Sequence, residues 1–145
     1  MSKSNATEND FVKFVFNNVA MPSYGATLQL NFHTADPGEG GTATTNKPTP
    51  INYAAQTVAR DGTGWTICDP DGTPNASGSC AKSAVDVVFP EIESGFAGTE
   101  TWTHGSVSVV ATGQILYSGA LTQSIIVSAL STPRFPAGTV LFKED

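Results

Sequence analysis

Few side chains in this sequence can do chemistry, and their spacing favours little of it. The two histidines are His33, in His33-Thr34-Ala35-Asp36, and His104, in Trp102-Thr103-His104-Gly105-Ser106. A hydrolytic triad needs a hydroxyl nucleophile, an imidazole base and a carboxylate that orients the base. Asp36 and Ser106 stand close to the two imidazoles in sequence, but there is no Gly-x-Ser-x-Gly elbow to hold a serine forward. The spacing predicts surface or strand-end histidines and no catalytic residue.

Metal chemistry has equally thin support. Cys68, Cys80, His33 and His104 could supply zinc donors, yet the paired C-x2-C and H-x3-H spacings are missing. Asp69-Pro70-Asp71-Gly72-Thr73 has the start of a calcium loop but lacks the later bidentate glutamate, and Pro70 and Pro74 interrupt it. A proline-braced turn is the expectation there, with no metal and no cofactor. Glu91, Glu93 and Glu100 could pair for acid–base work, but nothing in the sequence sets their separation. Cys68 and Cys80 flank a turn-rich segment. A disulfide between them would restrain the unfolded chain by about 2–3 kcal/mol, whereas a reducing compartment keeps two thiols. Both states are open at this level.

Composition narrows the class. A chain of 145 residues suits one domain with a modest core. Charged residues are 14% of the chain, against about a quarter in typical domains. Polar surface must therefore come from Gly, Ser and Thr, as in proteins of many short strands and turns. A net charge of -6 with seven scattered basic residues argues against nucleic acid as a partner. No apolar run approaches the roughly 20 residues of a membrane span. The segment MSKSNATEND lacks the apolar core of a secretion signal, so synthesis in a cytosol is expected.

The elements that must position these residues are strands. Leu28, Leu30 and Phe32 alternate with Gln29, Asn31 and His33, which predicts a strand over 26–34 with one apolar and one polar face. The segment 35–41 stops it with a proline, three glycines and two acids. Upstream, Thr7-Glu8-Asn9-Asp10 resembles a helix start with Thr7 as cap. Phe11, Val12, Val15, Phe16 and Val19 then form an apolar stripe. A short helix over 8–19 is predicted, after a frayed 1–6 segment. It either lids one end of the fold or docks on a neighbouring subunit.

Residues 36–50 lack any periodic pattern and predict a long polar loop, either a contact surface or a flexible connection. Further strands are expected at 51–60, 64–67, 85–89, 101–111, 115–117, 124–130 and 138–142, with Gly119 ending the one before it. About eight short strands without crossover helices predict an all-β, antiparallel β-sandwich, jelly-roll-like, with a short N-terminal helix. The expected division is an arm and helix over 1–23 and a sandwich domain over 24–145.

The order of several weak motifs is more specific than any one of them. Leu28 to Gly41 contains His33-Thr34-Ala35-Asp36-Pro37. Tyr53-Ala54-Ala55 through Arg60, Gly64-Trp65, Val88-Phe89-Pro90 and Thr103-His104-Gly105 follow. Leu116-Tyr117-Ser118-Gly119-Ala120-Leu121 and Thr132-Pro133-Arg134-Phe135-Pro136-Ala137-Gly138 complete the series. In this order the motifs resemble those of small structural proteins of tailed bacteriophages, over about residues 24–142. The chain departs from that pattern in the Cys68–Cys80 loop, and at Tyr53-Ala54-Ala55 where Tyr-Ala-Arg is usual.

The resemblance implies a capsid cement (decoration) protein with a jelly-roll fold, although relatives are often labelled tail-fibre proteins. It implies a virion component on the capsid exterior, made in the host cytoplasm, that is not an enzyme. Its partners would be the major capsid protein and copies of itself, as homodimer or homotrimer, with no nucleic acid and no membrane. The expected role is to bind the outer face of the shell and bridge neighbouring major capsid subunits. Asp36, Glu39 and Lys47 of the 35–50 loop, with the N-terminal segment, are the expected contact elements. The alternative is a tail-fibre or baseplate component with carbohydrate binding. Trp65, Trp102, Tyr24, Tyr53 and Tyr117 are then either sugar platforms or core residues.

Overall fold

The computed structural model describes residues 2–143. Its elements in chain order are β1 (Ser2–Lys3), α1 (Asn5–Asn17), β2 (Thr27–His33), β3 (Gln56–Ala59), β4 (Trp65–Cys68), β5 (Cys80–Ser83), β6 (Val87–Val88), β7 (Thr99–Val109), β8 (Ile115–Ser128), β9 (Arg134–Phe135) and β10 (Leu141–Lys143). The strands form a five-stranded sheet in the order β1-β8-β7-β2-β3, a three-stranded sheet in the order β10-β5-β4, and a two-stranded pair of β6 and β9. Every strand pairing is antiparallel. The sheets pack as a sandwich, and the chain is all-β apart from one short helix.

The alternation in β2 sets the core. Leu30 and Phe32 point from the five-stranded sheet into a cluster with Tyr53, Val58, Phe89, Ile92, Trp102, Val107 and Val127. The Phe32 ring stacks on Trp102 at 5.3 Å and tilts against Phe89 at 4.9 Å and Phe135 at 5.0 Å. Such aromatic pairs add about 0.5–1.5 kcal/mol each beyond the area they bury. Tyr53 places its ring in the same cluster and accepts the Phe32 backbone N–H at 2.8 Å. Burial pushes the Tyr53 phenol up to about 12.

β7 and β8 form the long ribbon of the fold. At about 3.3 Å per residue, the 14 residues of β8 reach roughly 45 Å from the Ile115 end to the Ser128 end. Gly119, expected to end a strand, lies inside β8 opposite Gly105 of β7. A Cβ added at Gly105 would sit 3.3 Å from Leu121 Cδ2 and 3.7 Å from Phe32 Cε1. Bare backbone at that point leaves room for both side chains, so cross-strand pairing overrides the glycine's local tendency to break the strand.

The N-terminus also departs from expectation. Residues 2–3 are not frayed: Ser2 and Lys3 pair with Ser118 and Tyr117 of β8. The helix cap is Ser4 and not Thr7. Ser4 Oγ accepts the Thr7 N–H at 3.3 Å and donates to the Ile115 carbonyl. Thr7 Oγ1 donates to the same carbonyl at 3.0 Å. The strand pairing of β1 brings Ser4 against β8, and this tertiary contact moves the helix start upstream of the local signature. Asn18, in the left-handed conformation at φ 54°, ends the helix, and its N–H and that of Val19 return to the Lys13 carbonyl.

Candidate functional site

Four groupings gather the chemically interesting side chains. The first is a polar layer on the sheet face opposite the core. Asn31 and His33 of β2, Ser106 and Ser108 of β7, and Ser118 of β8 are all buried. His33 Nδ1 lies 2.6 Å from the Thr45 carbonyl, and Nε2 lies 2.8 Å from Ser106 Oγ. A carbonyl can only accept, so Nδ1 carries the proton and Nε2 accepts the serine hydroxyl. Asn31 Nδ2 donates to Ser108 Oγ at 2.9 Å and more distantly to Ser106 Oγ.

His33 therefore ends β2, as one of the two expectations had it, but it is not a surface residue. Burial is the main cause that holds its pKa below the usual histidine value. Its polar neighbours share a feature visible in the sequence: they are small and uncharged, as a covered hydrogen-bonding layer requires. The arrangement resembles half of a serine–histidine pair, with a carbonyl where a triad places a carboxylate. His33 and Ser106 have no exposed surface, so they cannot meet a substrate as they stand. His104 faces His33 across β2 and β7, and its Nδ1 bonds Thr103 Oγ1 at 2.9 Å.

The cover over this layer is the segment 34–50. It is held as an ordered cap and is not a free loop. The Thr34 N–H donates to the Asn46 carbonyl at 2.8 Å, Asn46 Nδ2 donates to the Asp36 carbonyl at 2.8 Å, and Ala43 N–H donates to the Gly113 carbonyl at 2.9 Å. Pro37, Pro48 and Pro50 are buried, and their rings fix φ at three points of the cap. Asp36, Glu39 and Lys47 are exposed on it. Asp36 Oδ1 accepts the Gly38 N–H, the Glu39 carbonyl accepts the Asn5 N–H at 2.9 Å, and the Lys47 ammonium stands 5.9 Å from the centre of the Tyr53 ring. The Glu39–Asn5 bond joins the cap to the start of α1. Glu100 serves the same segment, accepting the Thr49 N–H, and Glu93 accepts the N–H groups of Ile51 and Asn52 just beyond it. They form no acid–base pair.

The second grouping is the cysteine pair. Cys68 of β4 and Cys80 of β5 are direct cross-strand partners, both buried, with sulfurs 3.0 Å apart and both free thiols. Desolvation, with the neighbouring Cys68 thiol, pushes the Cys80 thiol up to about 11. The segment between them is a braced turn: Asn75 Nδ2 donates to the Asp69 carboxylate and Thr73 N–H donates to Asp71 Oδ1. Among the described residues no three His, Cys, Asp or Glu side chains gather as metal ligands.

The third is a cavity of about 600 Å³ between the two larger sheets, lined by Leu28, Trp65, Val107, Leu116, Tyr117 and Phe142 among others. Its wall is mostly apolar, with Arg60, Asp61 and Lys143 also lining it, and Trp65 meets Phe142 edge-on at 5.8 Å. Of the aromatic residues considered as sugar platforms, Trp102 and Tyr53 are core residues, while Trp65, Tyr24 and Tyr117 are half-buried.

The fourth is helix α1. Its first turn is docked on β8 through Thr7 Oγ1, which donates to the Ile115 carbonyl at 3.0 Å, and Gln114 Nε2, just before β8, donates to Asp10 Oδ2 at 3.1 Å. Lys3 of β1 holds its ammonium 5.8 Å from the centre of the Phe11 ring, and from Phe11 onward no helix residue is buried. Phe11, Val12, Phe14, Val15, Phe16 and Val19 are all exposed, Phe16 to 78%. The helix does not lid the sandwich. Its start, the 36–46 cap and the β7–β8 turn at 110–114 meet at one end of the molecule. The polar loop and the N-terminal segment, singled out separately from sequence, are thus neighbours. Ile126 and Leu130 are exposed at the other end of β8.

A family model described as podophage GP4 fiber I protein gp80 matches residues 2–143. The chain belongs to that family. It is a structural protein of a tailed phage, in agreement with the resemblance drawn from the motif order. The match spans the described chain, from β1 through β10, so the exposed helix and the sandwich both fall within the family's bounds. No curated protein matches the chain.

Proposed function

We propose that this chain is a non-catalytic structural subunit of a fibre on a tailed-phage virion. The observation that carries the reading is the family match over residues 2–143, whose description names a fibre. The physical character of the molecule supports it. The contact between His33 and Ser106 is sealed, several carboxylates brace turns, and the helix exposes Phe11, Val12, Phe14, Val15 and Phe16. Such a body transmits force and presents surfaces. The end built from α1, the 36–46 cap and the 110–114 turn is the attachment end, and the Ile126–Leu130 end faces away from it.

The capsid-cement role is the second reading. It draws on the exposed Asp36, Glu39 and Lys47, which lie on the cap beside α1 and offer a polar rim to the major capsid protein. Copy number separates the two. A shell lattice repeats a cement protein with nearly every major capsid subunit, whereas the low symmetry of a tail permits far fewer copies. Quantitative mass spectrometry of purified virions, normalised to the major capsid protein, reads this ratio. The fibre reading predicts a small fraction of the capsid subunit number. A ratio approaching that of the shell subunits supports the cement role, and absence from the particle overturns both.

A further inference from the structure

We infer that the 34–46 part of the cap is a pH-sensitive latch: it closes over the neutral imidazole of His33 and opens, with the sandwich still folded, when Nε2 takes up a proton. This goes beyond the fibre reading, because it holds for the chain wherever the virion carries it.

The closed latch leaves no place for a charge on His33. The side chain is fully buried. Its Nδ1–H is already used on the Thr45 carbonyl of the latch, and its Nε2 accepts the Ser106 hydroxyl. A proton on Nε2 turns that acceptor into a donor, so Ser106 loses the partner for its own O–H. The titratable groups that face the ring are His104, its direct partner on β7, and Asp36, on the latch itself. His104 repels an imidazolium. Asp36 attracts it, but Asp36 is exposed and water weakens the attraction. The other members of the layer, Asn31, Ser106, Ser108 and Ser118, are uncharged. A cation sealed from water without a contacting carboxylate is costly. Burial is the largest influence on the ring, and it outweighs the Thr45 carbonyl, which favours the charged form.

Lifting the latch relieves this without opening a sheet. Residues 34–46 lie outside every strand and make one isolated bridge, from Thr42 to Gln114. Backbone bonds tie the latch to other segments from the Ala43 N–H to the Gly113 carbonyl and from the Asn5 N–H to the Glu39 carbonyl. Asn46 closes it in the left-handed conformation at φ 51°, and its carbonyl accepts both the N–H and the hydroxyl of Thr34. β2, in contrast, is paired with both β3 and β7. Exposed segments held by a few peripheral bonds open at lower free energy than paired core strands.

Native-state amide hydrogen exchange of the full chain, read residue by residue and corrected for intrinsic rates, tests this. In urea below the unfolding transition, the Thr34, Ala43 and Thr45 amides should exchange at rates that do not depend on urea, the mark of a local opening. Amides of β7 and β8 that exchange by global unfolding should respond to urea. An imidazole freed by opening titrates near the ordinary histidine value, so protection at the three latch amides should fall up to about tenfold between about pH 7.5 and about pH 5.5. In His33→Gln that fall should vanish, while His104→Gln should retain most of it. Latch amides that exchange only with the urea dependence of the core, protection in the parent that does not change with pH, or the same fall in His33→Gln would overturn the inference. The first two outcomes are read on the parent chain alone and stand even where the His33 variant does not fold.

Discussion

His33 Nε2 accepts the hydroxyl of Ser106 across 2.8 Å, and both side chains are sealed from solvent. The contact joins β2 to β7 on the face opposite the core, beneath the 34–50 cap. Ser106→Ala removes the partner and leaves a buried imidazole nitrogen unsatisfied. The expected loss is about 1–3 kcal/mol of stability, measured as a lower urea midpoint with unchanged slope. A variant as stable as the parent would mean that this layer is not closed.

The same histidine gives the fold a pH dependence. Burial, its largest perturbation, holds the His33 pKa down. As pH falls through the ordinary histidine range, about 6.5, the unfolded chain takes up a proton that the folded chain refuses. The contribution of His33 to stability is thus complete above that range. It declines as pH falls below it, and levels off below the lowered folded-state value. Asp86 and Glu93 are held below their usual range by hydrogen bonds from Arg134 and from the Ile51 N–H, so their own losses come at more acid pH. Denaturant midpoints between about pH 7.5 and about pH 5 should fall for the parent and stay flatter for His33→Gln. Equal slopes for the two proteins would exclude His33 as the cause.

Cys68 and Cys80 face each other with sulfurs 3.0 Å apart. Treatment with an oxidised low-molecular-weight disulfide should convert both thiols to one internal bridge by two exchange steps, releasing two reduced thiols of the reagent. Ellman titration in denaturant should then fall from two groups to none. The bridge closes a short loop, and its stabilisation should be about 2–3 kcal/mol. Cys80→Ser should show no such gain. Two free thiols persisting under oxidant would mean that burial keeps the protonated sulfurs out of reach of the reagent.

Much of this architecture was legible where sequence and tertiary structure agree. The alternation of Leu30 and Phe32 with Asn31 and His33 correctly predicted the two faces of β2, and the absence of crossover helices predicted antiparallel sheets. What lay hidden came from contacts distant in sequence. Ser4 displaces Thr7 as cap because it meets the Ile115 carbonyl, a partner more than a hundred residues away. Gly119 stays in β8 because Gly105 lies opposite. The short strand at Cys80–Ser83 carries no alternation and gains its place between β4 and β10. His33 looked solvent-facing because a polar face usually is, and only the cap over 34–50 encloses it. The apolar stripe of α1 was visible in the sequence, but its exposure was not, since amphipathic helices ordinarily bury that stripe in their own domain.

The most direct test of the fibre assignment is an asymmetric cryo-electron microscopy reconstruction of the intact virion, with this sandwich fitted to the density. The account predicts density for the sandwich in an appendage that projects from the particle, attached through the α1 end. Density tiling the outer face of the shell, or a particle with no density for the sandwich, would contradict it.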